Sequence, residues 1–373
     1  MIKVLHVIDH LGSGGAQTVL LNLLKFRNQQ DFSYTVACLH GKGGVAAELE
    51  AIGVPVVSLS PGKLPPLYVP NLAGLLLKER FDIVHCHLFG ANWLARPIAA
   101  LCGQKTIFAH DHCNDALRER LGPFLIDRLT NLLSCKILAV SRSTREFLLR
   151  QEGISDEVVE YFTNGVDVDA FGPPSREARA GFRVRWGLKP EDFVVGGIGR
   201  LVPQKDFTTF LRAAALVVEK SPEARFVIFG EGPEEAELKA LAVRLGLEER
   251  VQFAGYVGDR QAVYGAIDLL LLTSRYEGTP MVLLEAMAAG VPICATGVDG
   301  TAEILTSGET ALLFPPADPQ AAAEAILEMQ NQPVAQKLSL AARVRAQADF
   351  SAKSLCLRLE DLYRKTLPVA PNG

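Results

Sequence analysis

Leu269-Leu-Leu-Leu272-Thr273-Ser-Arg-Tyr-Glu277-Gly-Thr279-Pro280-Met281-Val-Leu-Leu-Glu285-Ala-Met-Ala-Ala289-Gly290-Val-Pro-Ile-Cys-Ala-Thr296-Gly-Val-Asp-Gly300-Thr-Ala-Glu303 is the stretch from which the fold can be read. Its leucine run suits a strand buried on both faces, as in a parallel sheet covered on each side. A Ser/Arg/Glu/Gly/Pro loop ends that strand. Pro280 then stands in the first turn of a helix, where its missing N–H costs nothing, and Gly290 stops the helix. Val291 to Thr296 begins a second apolar strand. The unit is strand–loop–helix–strand, and Glu277 lies beyond the carboxyl end of the strand, where open α/β sheets bind ligands. Glu285 falls about two turns later, on a face otherwise of Val, Leu, Ala and Met, so its carboxylate needs a partner. A ligand hydroxyl is one candidate. Taken alone, the same spacing also suits a solvated loop residue and half of an ion pair.

The pattern repeats outward in both directions. Apolar strands are expected at 3–9, 33–39, 54–60, 82–88, 105–110, 136–141 and 158–163, then at 194–199, 225–230, 251–255, 269–272, 292–296 and 311–314. Helical pattern or loop follows each. Such alternation implies an α/β fold with parallel sheets. Asn164-Gly-Val-Asp-Val-Asp-Ala-Phe-Gly-Pro-Pro-Ser175 is turn-rich and reads as a linker. A length of 373 residues also exceeds one ordinary core. Two Rossmann-like domains are therefore expected, 1–170 and 171–350, with a final amphipathic helix over 351–367 carrying Leu355, Leu357, Leu359, Leu362 and Tyr363.

A hydrophobic content of 49% with 21% charged residues excludes a disordered chain. The net charge of −4 gives no signal for nucleic acid. Cysteines 38, 86, 102, 113, 135, 294 and 356 include no Cys-x-x-Cys pair, and their odd number suits reduced core thiols in a cytoplasmic protein. Their spacing supports no metal site. The chain enters a strand at Met1-Ile-Lys-Val, leaving no room for a signal peptide, and no apolar run approaches the ~20 residues needed to span a bilayer. One segment, 116–150, interleaves Arg118, Arg120, Arg128, Lys136, Arg142, Arg145 and Arg150 with Leu117, Leu121, Phe124, Leu125, Leu129, Leu132 and Leu133. It reads either as an ordinary solvated helix face or as a basic amphipathic segment lying on an anionic membrane.

Three further motifs carry chemistry. Asp9-His-Leu-Gly12-Ser-Gly14-Gly15-Ala-Gln17 joins the first strand to a helix, where amides at a helix start attract phosphate. It is a tight turn in any case, and it lacks the third glycine and the downstream acid of a dinucleotide fingerprint. Phe108-Ala-His110-Asp111-His112 ends a strand, beside Asp82-Ile-Val-His85-Cys-His87 and Ser141 at neighbouring strand ends. A lone histidine at a strand end is more often structural, but polar groups gathered at that edge are the pattern of a ligand site. Gly197-Ile-Gly199-Arg200-Leu-Val-Pro-Gln-Lys205-Asp206 sets two cations near a helix start, which suits a pyrophosphate clamp or two solvated charges.

Together these motifs resemble, in the correct order and over essentially the whole chain, the retaining GT-B glycosyltransferases of the bacterial group 1 (GT4-type) family. The resemblance implies two Rossmann-like domains facing a cleft, with the last helix crossing back onto the first. It implies hexose transfer from a nucleoside-diphosphate sugar to a hydroxyl of a glycan or lipid-linked acceptor, with retention. Glu277 would lie at the sugar and Glu285 at the ribose. Arg200 and Lys205 would hold the diphosphate in place of a metal, without cofactor, and the leaving phosphate would take the acceptor proton. Gly14 and Gly15 would approach the phosphates, and Tyr256 and Val257 the base, UDP before GDP. His110 would face the sugar, with His112 as the alternative and His87 toward the acceptor. Thr279-Pro280 replaces the family's Phe-Gly, so Thr279, Pro280 and Met281 imply altered sugar contacts. Asn164-Gly-Val-Asp167 would serve as hinge, and Gly300 to Glu303 would touch donor phosphates. The inner membrane surface is an expected contact. A sugar-nucleotide epimerase or a non-catalytic nucleotide-sugar scaffold remains the alternative, separable by donor consumption without acceptor.

Overall fold

The computed structural model describes residues 1–12, 14–60, 68–112 and 121–368, with the backbone alone at 121–123. Two compact units divide the chain, Met1–Gly165 with the segment from Ala352 onward, and Val166–Ser351. The division falls before the expected 170 because the Val166 N–H donates to the Phe350 carbonyl at 2.9 Å and Val166 bridges Ser351.

The first unit is built on β1 (Ile2–Ile8), β2 (Phe32–Cys38), β3 (Val56–Ser58), β4 (Ile83–His87), β5 (Ile107–Asp111), β6 (Lys136–Ala139) and β7 (Val159–Tyr161). All pair in parallel, in the order β3-β2-β1-β4-β5-β6-β7, so the winding reverses between β1 and β4. Alternation sorts the strands' side chains to two faces. Leu5, Val7, Val84 and Cys86 pack against Leu72 and Leu76 of the helix Tyr68–Glu79 and Ala91, Ala95 and Ala99 of the helix Leu88–Leu101. Fully buried Arg96 ties that second helix to the next by donating to Asp127 (3.2 Å), Thr130 (2.9 Å) and Asn131 (2.5 Å).

The terminal helix Ala352–Thr366 belongs to this first unit, and it buries Leu355, Cys356, Leu359, Glu360 and Tyr363. Leu357, expected on the apolar face, is 56% exposed, because burial follows the helical spacing 352, 355, 356, 359, 360, 363. Glu360 accepts from the Asn28 amide (2.8 Å) and the Tyr34 hydroxyl (3.0 Å).

The second unit holds β8 (Phe193–Ile198), β9 (Ala224–Phe229), β10 (Val251–Gly255), β11 (Leu269–Leu272), β12 (Ile293–Thr296) and β13 (Leu312–Phe314). Their order, β10-β9-β8-β11-β12-β13, reverses between β8 and β11. Every residue of β11 is buried, as the leucine run requires of a strand covered on both sides. Pro280 caps the helix Met281–Ala289, and Gly290 ends it in the left-handed conformation at φ 70°.

The basic segment is not one helix. It divides into the helix Leu121–Asn131, the interior strand β6 and the helix Arg142–Arg150. Arg145 pairs with Asp156, Arg150 with Glu146, and Lys136 donates to the Glu157 carbonyl. Leu125, Ile126, Leu129, Leu132 and Leu133 remain exposed. Leu117, Arg118, Glu119 and Arg120 lie outside the described residues, as does Cys113. Among the described residues, no helix is long and apolar enough to cross a membrane.

Candidate active site

In the second unit the candidate side chains gather where β8 and β11 end, at the reversal of the sheet. The chain leaves β8 through Gly199-Arg200 and a short turn, Pro203–Lys205, then enters the helix Phe207–Lys220. Asp206 caps that helix from a left-handed backbone (φ 47°), accepting from the Thr209 amide at 3.3 Å and hydroxyl at 3.0 Å. Its Oδ2 also takes the Arg275 Nε at 3.3 Å. The Thr273 hydroxyl donates to the Lys205 carbonyl at 2.9 Å, and the Arg275 amide to the Gln204 carbonyl at 2.8 Å, so the two loops are fastened together.

Lys205 Nζ then meets Glu277 Oε1 at 2.5 Å, with both side chains largely buried. The Glu277 amide donates to Asp299 Oδ2 at 3.3 Å, and its carbonyl accepts from the Gly300 amide at 3.3 Å. Gly300 is compulsory here, since a Cβ would sit 1.4 Å from the Gly278 carbonyl oxygen. Gly230 is likewise pressed on the Gly199 carbonyl, 1.9 Å from where its Cβ would be. Arg200 is exposed, and no described side chain engages its guanidinium. A cation left open beside a bound one and a helix start is a set of donors for an oxyanion such as a phosphate.

Glu285, 2% exposed in its helix, has protein partners on both oxygens: Arg260 on Oε1, and the Tyr264 hydroxyl on Oε2 at 2.8 Å. Burial pushes its carboxyl up from the usual range, against the pull of the guanidinium and the hydroxyl. Arg260 and Tyr264 were not foreseen. They belong to the helix Arg260–Ala266, and no short sequence spacing ties that helix to Glu285. Thr279, Pro280 and Met281 are buried at the same loop, while Tyr256 is 56% exposed and Val257 half-buried after β10.

The first unit's edge is of another kind. Parallel register pairs His6 with His85 and His87 with His110, and two-residue alternation adds His112 to the same face. His6, His85, His87 and His110 are at most 1% exposed. His6 Nδ1 lies 2.8 Å from His87 Nε2, His87 Nδ1 3.2 Å from His112 Nε2, and His85 Nδ1 2.5 Å from the Tyr363 hydroxyl. His110 stacks on His112 with ring centres 4.3 Å apart. Both nitrogens of His110, Nε2 of His6 and His85, and Nδ1 of His112 have no hydrogen-bond partner among the described residues. Burial drives all five rings well below the ordinary histidine value, His6 and His112 to about 3. The rings are neutral at pH 7.

Nearby, Asp9 accepts from the Gly90 and Ala91 amides at the start of the helix Leu88–Leu101. Gly14 caps the helix Gly15–Lys25, and a Cβ on it would lie 2.3 Å from Gln17 Oε1. Ser141 caps the helix Arg142–Arg150 by accepting from the Thr144 amide. His6 and His85 were not singled out as site residues, although His85-x-His87 and His110-x-His112 at the ends of adjacent strands signal a common face.

Both units match glycosyltransferase family models. The model for "Glycosyltransferase Family 4" matches residues 13–170, and that for "Glycosyl transferases group 1" matches residues 179–348. The chain belongs to the group 1, GT4-type glycosyltransferases of GT-B fold. It is 25% identical over 302 residues to an Escherichia coli UDP-Gal:alpha-D-GlcNAc-diphosphoundecaprenol alpha-1,3-galactosyltransferase, covering 79% of this chain and 78% of that protein. The Agrobacterium fabrum mannosylfructose-phosphate synthase is 33% identical over 192 residues, 49% of this chain and 42% of the relative. Among solved structures, Anabaena HepE in complex with UDP-glucose superposes with a TM-score of 0.87 at 23% identity, covering 98% of this chain and all of that one.

Proposed function

We propose that the chain transfers a hexose from a nucleoside-diphosphate sugar to a hydroxyl of a glycan or lipid-linked acceptor, with retention, in polysaccharide or glycolipid assembly. The observation that carries this reading is the buried Lys205–Glu277 pair beside the exposed Arg200 at the end of β8. Arg200 and Lys205 would take up the charge that develops on the departing diphosphate, a role that requires fixed cations in a partly desolvated site. Glu277, held by Lys205 and by its own amide on Asp299, would orient the sugar. The leaving phosphate would receive the acceptor proton on the same face. Glu285 keeps lone pairs free on each oxygen beyond those used by Arg260 and Tyr264, and these would accept the ribose hydroxyls.

His110 offers neutral ring nitrogens with no partner among the described residues, which suits a contact with a sugar hydroxyl rather than with a phosphate. The galactosyl donor of the E. coli relative and the UDP-glucose of the HepE complex support a UDP-sugar, with GDP second. The diphosphoundecaprenol acceptor in that relative's name supports a lipid-linked acceptor. The exposed Leu125, Ile126, Leu129, Leu132 and Leu133 would then rest on the membrane surface.

A thermal-shift screen against UDP, GDP and ADP and their sugars, with EDTA throughout, tests the donor site, because a ligand of the native state raises Tm by mass action. A shift with one nucleotide, lost in Arg200→Ala, is expected. No shift with any nucleotide removes the proposal's basis. Release of an isomeric sugar nucleotide without acceptor identifies an epimerase instead, and a product of inverted anomeric configuration overturns retention.

A further inference from the structure

We propose that His87, His110 and His112 form a binding site for a first-row transition-metal ion of the zinc class, distinct from the diphosphate chemistry of the second unit. One ligand atom from each of the three rings lies within 4.8 Å of the others. His87 Nδ1 and His112 Nε2 are 3.2 Å apart. Two nitrogens on one tetrahedral ion, at bonds of about 2.0–2.1 Å, are separated by roughly 3.3 Å. That spacing suits a shared ion as well as a hydrogen bond. His110 completes the set, since neither of its nitrogens is otherwise engaged among the described residues. Buried, unpartnered ring nitrogens require an explanation, and an ion is one of the few that answers several at once.

The surrounding order fits as well. A ligating histidine usually has its other nitrogen fixed by an outer partner. With Nδ1 of His87 on the ion, its Nε2 carries the proton and donates to His6 Nδ1, 2.8 Å away. His112 is half-buried, so the site has a side open to an entering ion. The neighbouring trio His6, His85 and His87 meets the same distance, but all three are fully buried and His85 Nδ1 is taken by Tyr363. Imidazoles alone suit Zn²⁺, Co²⁺, Ni²⁺ or Cu²⁺ rather than Mg²⁺ or Ca²⁺. Three protein ligands leave a fourth position for water or a small anion.

The test is a titration of the full chain, first freed of metal, with Co²⁺ alone, followed by visible absorbance and calorimetry. Expected are one equivalent bound, an intense tetrahedral d–d band without thiolate charge transfer, and competition by Zn²⁺ but not by Mg²⁺. His112→Ala and His110→Phe should each weaken binding ten-fold or more, whereas His40→Ala, at an exposed histidine outside the row, should leave it unchanged. Thermal melts of the variants confirm that each is folded. Absence of binding, a thiolate signature, or binding that survives both variants in folded protein overturns the site. These readouts do not depend on transferase activity.

Discussion

The two sheet edges solve the burial of polar groups in opposite ways. At the end of β11 each buried acid has a named donor: Glu277 has Lys205, Glu285 has Arg260 and Tyr264, and Asp206 has Thr209 and Arg275. Along β1, β4 and β5 the rings of five histidines are packed together, with nitrogens that have no partner among the described residues. Charge is kept at the second unit's edge by pairing, and in the first unit's histidine row it is expelled. The histidine row is therefore the acid-sensitive arrangement, and the paired edge is sensitive to the loss of a partner.

The largest expected effect is that of pH. A ring whose folded pKa is depressed leaves stability untouched above the unfolded value. Below about 6.5 the unfolded chain takes a proton that the fold refuses, at about 1.4 kcal/mol per pH unit for each ring. That loss continues as pH falls toward about 3 for His6 and His112. Several rings together reach the ~5–15 kcal/mol stability of a whole domain near pH 5. Glu285 has the opposite sign, because its raised carboxyl protonates first in the folded state, so acid adds stability until the unfolded carboxyl titrates too. Trp93 lies in the first unit and Trp186 in the second. Fluorescence of Trp186→Phe should report an acid transition at higher pH than that of Trp93→Phe, and coincident transitions would break the comparison.

Next in size is the cation pair. Lys205→Ala and Arg200→Ala should each lower kcat/KM by about 10²–10³, the usual cost of one electrostatic donor. They should differ in stability. Lys205→Ala strands a buried carboxylate and should cost about 1–3 kcal/mol in chemical denaturation, while exposed Arg200 should cost nothing measurable. Equal losses of stability would contradict the pairing described.

Glu285→Gln comes third. It keeps a hydrogen-bonding group toward Tyr264 but removes the charge opposite Arg260. Because the Arg260 side chain is 34% exposed, water screens the pair, and about 1 kcal/mol is expected with a raised KM for donor. The smallest effect is His110→Leu. In metal-free protein its ring nitrogens have no hydrogen-bond partner among the described residues, so stability should stay within about 1 kcal/mol of the parent or rise, while transfer falls. A large destabilisation would mean that the ring nitrogens are satisfied in solution.

Much of this was legible beforehand because it is local. The leucine run of β11, Pro280, Gly290 and the carboxyl-edge position of Glu277 all follow from residues within one short stretch. What escaped was register and partnership. Arg260 and Glu285 meet only because two helices pack together, and the histidine row exists only because β1, β4 and β5 align in a particular register. The basic segment failed for a related reason. Charge and leucine content suggested one amphipathic surface, but Lys136-Ile-Leu-Ala139 is too apolar to stay outside the sheet and becomes an interior strand.

The terminal helix has a consequence for biosynthesis. The ribosome completes residues 166–351 before Tyr363 and Glu360 exist, yet those side chains meet His85, Tyr34 and Asn28, all made near the beginning. The nascent first unit must wait, its β1–β2 flank uncovered, through the synthesis of an entire second unit. The later-made unit can reach its native state first, and a chaperone that shelters the earlier one has its longest opportunity in that interval.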